Sequence, residues 1–219
     1  MIAELALRLR ANAGRKILLG SVLSIGFWTT YLLLQRHPLF PARVVKALPI
    51  DQWVPFIPGS VYLYESLWLL LPIAPWLMKS NRELGRYTRG LVSISLAGFA
   101  IFFFFPTACP RPAPVPDVNL LYRLLIRVDG ELHAFPSLHC ALAVFHGACC
   151  HAVFRAASWP KWLRWVIWIW VAGIIVSTML TKQHVMLDAA GGIVLGAAGY
   201  GLCCRWPRTP ESERSQKQA

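Results

Sequence analysis

The sequence is poor in charge, and poorest in acid. Only 15% of its 219 residues are charged, and Asp and Glu number 10 against 22 Lys and Arg. An ordinary soluble domain carries about 25% charged residues. With 56% of residues hydrophobic, the shortage excludes such a domain, and the length excludes several large ones. Zinc-type cysteine spacing is missing, and the six cysteines form no disulfide framework. Cys149, Cys150, Cys203 and Cys204 fall at ends expected to face the cytoplasm, where thiols stay reduced. They read as small apolar filler or as acylation sites. Cys109 and Cys140 are expected on the other side, as separate thiols or as a bridge. There is no internal repeat, and no small-residue cleavage site follows the first apolar run. That run, 17–35, is longer than a signal-peptide core and ends in Leu34-Gln35-Arg36-His37-Pro38, so it reads as a membrane helix.

What the chain does have is apolar runs. Spanning a bilayer takes roughly 20 mostly apolar residues. Six segments qualify: 17–35, 59–78, 91–108, 139–154, 162–180 and 185–204. The third is short between Gly90 and Pro106, and the fourth carries His146 and His151. The expected fold is an all-α integral membrane bundle of six transmembrane helices with both termini cytoplasmic. Residues 1–16 precede it, lying on the membrane surface or extending the first helix. Residues 17–204 form the membrane domain, and 205–219 a disordered polar tail.

The net charge of +12 would suggest nucleic acid in a soluble protein. Its distribution points elsewhere. On this topology 15 of the Lys and Arg residues fall on the cytoplasmic side, in 8–16, 79–89, 155–164 and 205–217. The other side has seven: Arg36, Arg43, Lys46, Arg111, Arg123, Arg127 and Lys182. This is the positive-inside bias that orients helices during insertion. Anionic lipid, rather than nucleic acid, is the expected partner of the excess. The expected location is the cell membrane, as a multi-pass protein; oligomeric state is not readable.

The connection 36–58 holds Pro38, Pro41, Pro49, Pro55 and Pro58 among apolar patches, which suits a re-entrant or interfacial loop. In 106–138, Arg123 and Arg127 lie four apart in a short amphipathic helix on the membrane surface. Trp159, Trp162 and Trp165 read as interfacial anchors. Gly192, Gly196 and Gly199 permit close helix approach, within the chain or between two copies. Glu65 lies inside the second run, where it either hydrogen-bonds within the bundle or lines a lipid or proton path.

The candidate chemistry gathers on the non-cytoplasmic side, in Arg111, Ser137, His139, Lys182, His184 and Asp188. His184 and Asp188, four apart, share a helix face. A carboxylate there can hold the proton of one ring nitrogen and leave the other as a nucleophile. Such a pair is also a common helix-surface feature. Pro136 and Ser137 mark a helix start whose free N–H groups favour an anion. His139 in that first turn can protonate a leaving alkoxide; a capping serine beside a histidine is equally a structural pattern. Arg111 can grip phosphate oxygens with its planar fork. Lys182 is either a second cation of the site or a snorkelling interfacial lysine.

Pro-Arg, then Phe135-Pro136-Ser137-Leu138-His139, then Ser177 through Asp188 resembles the type 2 phosphatidic acid phosphatase superfamily. Within it, Pro106-Thr107-Ala108-Cys109-Pro110-Arg111, Thr181-Lys182-Gln183-His184 and the stretch from Leu48 to Pro58 resemble the inositol phosphorylceramide and sphingomyelin synthase branch. The resemblance covers roughly 48–204. It implies six helices and an outer-face site without metal or cofactor. It further implies His184 as a nucleophile forming phosphohistidine, Asp188 orienting it, His139 as general acid and then base, and Arg111 and Ser137 cradling phosphate. Two positions depart from the phosphatase pattern: Phe104 stands where that branch has lysine, and Thr178 where it has arginine. Lys182 is a candidate replacement cation.

The implied activity is cleavage of a lipid phosphate ester. Water as acceptor makes a phosphatase, which is placed first; a lipid hydroxyl makes a head-group transferase. Two other classes compete. A haem protein would use His139, His146 and His184, and leaves Arg111 unexplained. A lipid transporter would use Glu65 and the histidines, and has no need of Asp188.

Overall fold

The computed structural model describes residues 1–110 and 118–204; Arg111 and the expected tail 205–219 lie outside the described residues. The chain is mostly helical. In order come α1 (Ile2–Arg10), α2 (Ala13–Arg36), α3 (Val61–Glu65), α4 (Leu67–Trp76) and α5 (Asn81–Phe104), then α6 (Leu120–Val128), α7 (Leu138–Ala156), α8 (Lys161–Leu180) and α9 (Met186–Cys203).

Among the described residues, α2, α5, α7, α8 and α9 are long and apolar enough to cross a membrane. The expected run 59–78 is instead split into α3 and α4, with Pro72 and Pro75 inside the second. Each proline removes a backbone donor, and the chain tightens at Ser66, whose hydroxyl donates to the Leu63 carbonyl at 2.6 Å. The apolar composition of this stretch was plain in the sequence; the break falls at Ser66, ahead of both prolines.

Local chemistry explains several helix starts. Ser80 and Glu83 cap α5 reciprocally: Ser80 Oγ accepts from the Glu83 amide at 3.1 Å, and Glu83 Oε2 accepts from the Ser80 amide at 3.3 Å. Asn119 caps α6 by accepting from the Tyr122 amide at 2.9 Å. Ser137 caps α7 by accepting from the Cys140 amide at 3.2 Å. α1 is pinned to the bundle end by Arg8, which donates to the Leu77 carbonyl at 2.9 Å.

α7 is the axis of the bundle. Of its apolar window 78% is buried, against none of that of α2. Helices in lipid gain little from hiding apolar surface, so close packing must hold them. The glycine stripe serves that purpose within the chain: a Cβ at Gly192 would strike the Ser137 carbonyl and Cys140, and one at Gly196 the backbone of Ala141. Gly199 faces Ile94 of α5.

At one end of the bundle the two proline-rich connections meet. β1 (Arg43–Val44) runs parallel to β2 (Thr107–Ala108), with Val45 N donating to Ala108 O at 2.8 Å. Ala108 also bridges to Leu132. Two-residue pairings leave no periodicity in a sequence, so this small ribbon was not foreseen. The amphipathic α6 is where it was expected, with Tyr122 and Leu125 buried against Val61 and Tyr64, and Arg123 and Arg127 exposed.

Candidate active site

α7 and α9 both begin at this end, and a backbone bond joins their starts: Ser137 N donates to Asp188 O at 3.0 Å. His139 therefore emerges from the first turn of α7 beside the segment that carries His184. Both histidines line one cavity of about 290 Å³. α6 supplies Leu121, Leu124 and Leu125 to its wall, and α2 supplies Phe27, Trp28 and Tyr31.

His139 is fixed from one side. Its ring stacks on Tyr64, with centroids 3.8 Å apart, and its Nε2 lies 2.9 Å from the Tyr64 carbonyl oxygen. A carbonyl can only accept, so Nε2 carries the proton and Nδ1 keeps the lone pair of the neutral ring.

His184 follows a tight reversal. Gln183 N and His184 N both donate to Thr178 O at 3.1 Å, while Lys182 takes a left-handed backbone conformation with φ of 56°. Such a conformation is unfavourable for a residue with a Cβ, and the Lys182 side chain helps hold it. Its amino group donates to the Asp51 carbonyl at 3.2 Å and the Val54 carbonyl at 2.6 Å. Lys182 lines a small cleft of about 20 Å³ on the other side of His184, with Asp51, Cys109 and Pro110. The larger cavity has no lysine or arginine among its described lining residues.

Asp188 is fully buried. Its Oδ2 accepts from the Val185 amide at 3.1 Å and lies 3.7 Å from His184 Nδ1. Neither His184 Nδ1 nor Asp188 Oδ1 has a hydrogen-bond partner among the described residues. A buried pair of this kind is one small rotation from a hydrogen bond, and unpaired buried groups are expensive. Ser137, also fully buried, uses its hydroxyl as the α7 cap and does not line the cavity. Cys109 and Cys140 are not bridged to each other.

Several residues that sequence reasoning did not single out shape the site. Asp51 joins the 48–58 connection to the start of α9: its Oδ1 accepts from the Met186 amide at 2.8 Å and its Oδ2 from the Leu48 amide at 2.7 Å. Val185, the residue before α9, has no polar side chain to cap it, so Asp51 and Asp188 do so from elsewhere. Asp129 accepts from the Tyr64 hydroxyl at 3.1 Å and from the Tyr31 hydroxyl. His133, stacked on Phe102 at 4.5 Å, is pushed down to about 4 by burial, against the opposing pull of Asp129. The scarcity of acid was the available signal for Asp51 and Asp129. Glu65, on the same cavity wall, accepts from Trp68 Nε1 at 2.6 Å.

His146, the second histidine of a haem arrangement, is engaged at both ring nitrogens. Nδ1 donates to the Leu142 carbonyl at 2.7 Å and Nε2 accepts from the Tyr87 hydroxyl at 2.9 Å. Among the described residues, no group of three or more His, Cys, Asp or Glu is placed to hold a metal ion.

A comparison with protein families finds the PAP2 superfamily across residues 39–202. The chain belongs to the PAP2 superfamily. No curated protein and no solved structure matches it. PAP2 proteins are generally phosphatases and phosphotransferases, and membership points to a phosphatase-type lipid phosphoesterase. The apolar helices are consistent with a membrane protein. The matched stretch contains Arg111, Ser137, His139, Lys182, His184 and Asp188, and leaves α2 outside it.

Proposed function

We propose that this PAP2 protein is an integral-membrane lipid phosphate phosphatase that works through a phosphohistidine on His184. One observation carries the reading: His139 and His184 open into a single cavity, and a buried carboxylate stands behind the Nδ1 of the second.

With Nδ1 of His184 facing Asp188, its Nε2 is the free nucleophile. It attacks phosphorus as the ester oxygen leaves. His139 enters this step as the imidazolium, with a proton on each nitrogen, gives that oxygen the proton of Nδ1 and returns to the neutral ring. The Tyr64 carbonyl stays on Nε2 and stabilises His139 while it is charged. Water then attacks the phosphohistidine, giving its proton to His139, and inorganic phosphate departs with His184 restored. The Asp188 carboxylate closes its 3.7 Å gap as positive charge develops on His184. Arg111 grips the phosphate oxygens, and the α7 start capped by Ser137 offers them N–H groups. Lys182 positions the 49–54 turn behind the nucleophile, a reading that rests on its two carbonyl bonds. No metal and no cofactor enters.

The protein sits in the cell membrane with both termini cytoplasmic and the site on the other side, following the charge distribution of 15 against seven. α3 and α4 together make the sixth crossing. From 61 to 76 they extend about 24 Å at 1.5 Å per residue, and the turn at Pro58–Ser60 adds to this.

A second acceptor is favoured by the cavity lining. Leu67, Leu121, Leu124 and Leu125 admit a lipid alcohol as readily as water. With that acceptor the same phosphohistidine yields a head-group transferase, in keeping with the synthase-like stretch from Leu48 to Pro58. The test is to incubate purified protein with radiolabelled phospholipids, with and without a lipid alcohol. Released phosphate or phosphorylated head group marks hydrolysis, and a new labelled lipid marks transfer. Full turnover in His184→Ala would end both readings.

A further inference from the structure

The cavity that holds the two histidines does not end at its inner wall. Phe27, Trp28, Trp68 and Leu142 line it and also line a second space of about 640 Å³. At this junction Trp28 and Trp68 stack with centroids 5.3 Å apart. The second space runs between α2, α4, α5 and α7. Along α5 its wall extends from Leu84 to Phe99, about 22 Å at 1.5 Å per residue. Lys16 stands at the far end, its amino group bonded to the carbonyls of Arg8 and Trp76.

Three properties of this chamber define its occupant. Its lining is mostly hydrocarbon and aromatic, including Leu23, Leu71, Leu91 and Phe99. Apolar cavities exclude water and take apolar ligands. It is also long: one leaflet of a roughly 30 Å core is about 15 Å deep, so a chain filling the chamber passes beyond one leaflet. Finally, its outer wall is α2, of which no part of the apolar window is buried by other elements. A single helix therefore separates the chamber from the bilayer.

We propose that this chamber binds the hydrocarbon chain of the lipid phosphoester, which enters from the bilayer beside α2. The inference rests on reading the first cavity as the phosphoester site. The ester lies at His139 and His184, and the chain passes Trp28 and Trp68 toward Lys16. The chamber then selects for long chains. Its α2 wall lies outside the stretch that identifies the superfamily.

Two measurements test it. In the first, full-length His184→Ala protein is labelled with a phosphatidic acid carrying a diazirine at the end of a sixteen-carbon chain. Expected is cross-linking to the chamber-lining residues Lys16, Leu19, Leu23, Leu84 and Leu91, suppressed by unlabelled long-chain phosphatidic acid and not by its six-carbon counterpart. Labelling confined to outward residues such as Ile17 and Ile25, and insensitive to competitor, overturns the proposal. In the second, Ser95→Trp, which fills the chamber midway, lowers the ratio of long-chain to short-chain turnover about tenfold or more. An unchanged ratio in a folded variant overturns it. If wild-type protein acts on neither lipid, the phosphoester reading fails, and the photolabel alone decides the chamber.

Discussion

The carbonyl oxygen of Tyr64 accepts a hydrogen bond from Nε2 of His139 at 2.9 Å, and the two rings lie stacked 3.8 Å apart. The acid of the proposed mechanism is thus set by a backbone atom of a neighbouring helix, and its tautomer cannot drift with side-chain rotation. That fixes what substitutions should do.

His139→Ala should lose about 10²–10⁴-fold in turnover of an alkyl phosphate ester, the usual contribution of a positioned acid. With a nitrophenyl ester, whose leaving group needs no proton, the loss should shrink to well under that range. His184→Ala should be inactive on both. Comparing the two substrates across the two variants separates acid from nucleophile; equal losses on both esters for His139→Ala would remove its acid role.

Asp188→Asn tests orientation apart from folding. The amide oxygen can still accept from the Val185 amide, so the α9 start and the melting temperature should stay near wild type. Turnover should fall by about 10²-fold or more, because a neutral amide cannot stabilise a charged His184 ring. A variant that melts early would instead reveal a cap and nothing more.

Asp51→Ala removes acceptors from the Met186 and Leu48 amides. Both bonds are partly buried, and losing each costs about 0.5–1.5 kcal/mol, so thermal stability in detergent should drop together with activity. Asp51→Asn, which keeps one acceptor, should recover part of both. Lys182→Met should loosen the same turn while leaving KM for lipid phosphate within about twofold, an amount too small for a lost cation–phosphate contact. A KM rise of tenfold or more would return Lys182 to the phosphate.

His133 gives a pH signature. Its folded value of about 4 lies below the ordinary 6.5, so the unfolded chain takes up the proton first as pH falls. Stability contributed by the neutral ring is present above pH 6.5 and is lost as pH drops from 6.5 toward 4. His133→Phe keeps the stack on Phe102 and should flatten the fall in melting temperature across that window. An unchanged slope would exclude His133 as its source.

Much of this was legible in the residues themselves. The cap at Ser137 and the amphipathic α6 follow from spacing and short-range chemistry, and the structure places each at the expected local position. His184 and Asp188 do come close, but not on a shared helix face: α9 begins at Met186, and His184 reaches Asp188 from the reversal before it. What escaped was long-range. Nothing near Asp51 in the chain says that it will meet Met186, and nothing near His139 names Tyr64. Lys182 illustrates the limit from the other side: its proximity to His184 was readable, but its direction depended on the 49–54 carbonyls. Arg111, whose expected role rests on its planar fork and on the family resemblance, lies outside the described residues.

The seam between α7 and α9 has one more consequence. Where Gly192 and Gly196 meet the backbone of α7, no layer of side chains lies between the helices to yield or repack. The spacing of α7 and α9 below the histidines is therefore set by main-chain contact. Any side chain added at Gly192 or Gly196 would push these helices apart, so change to the site is accommodated more readily in the side-chain walls around α2, α4 and α6.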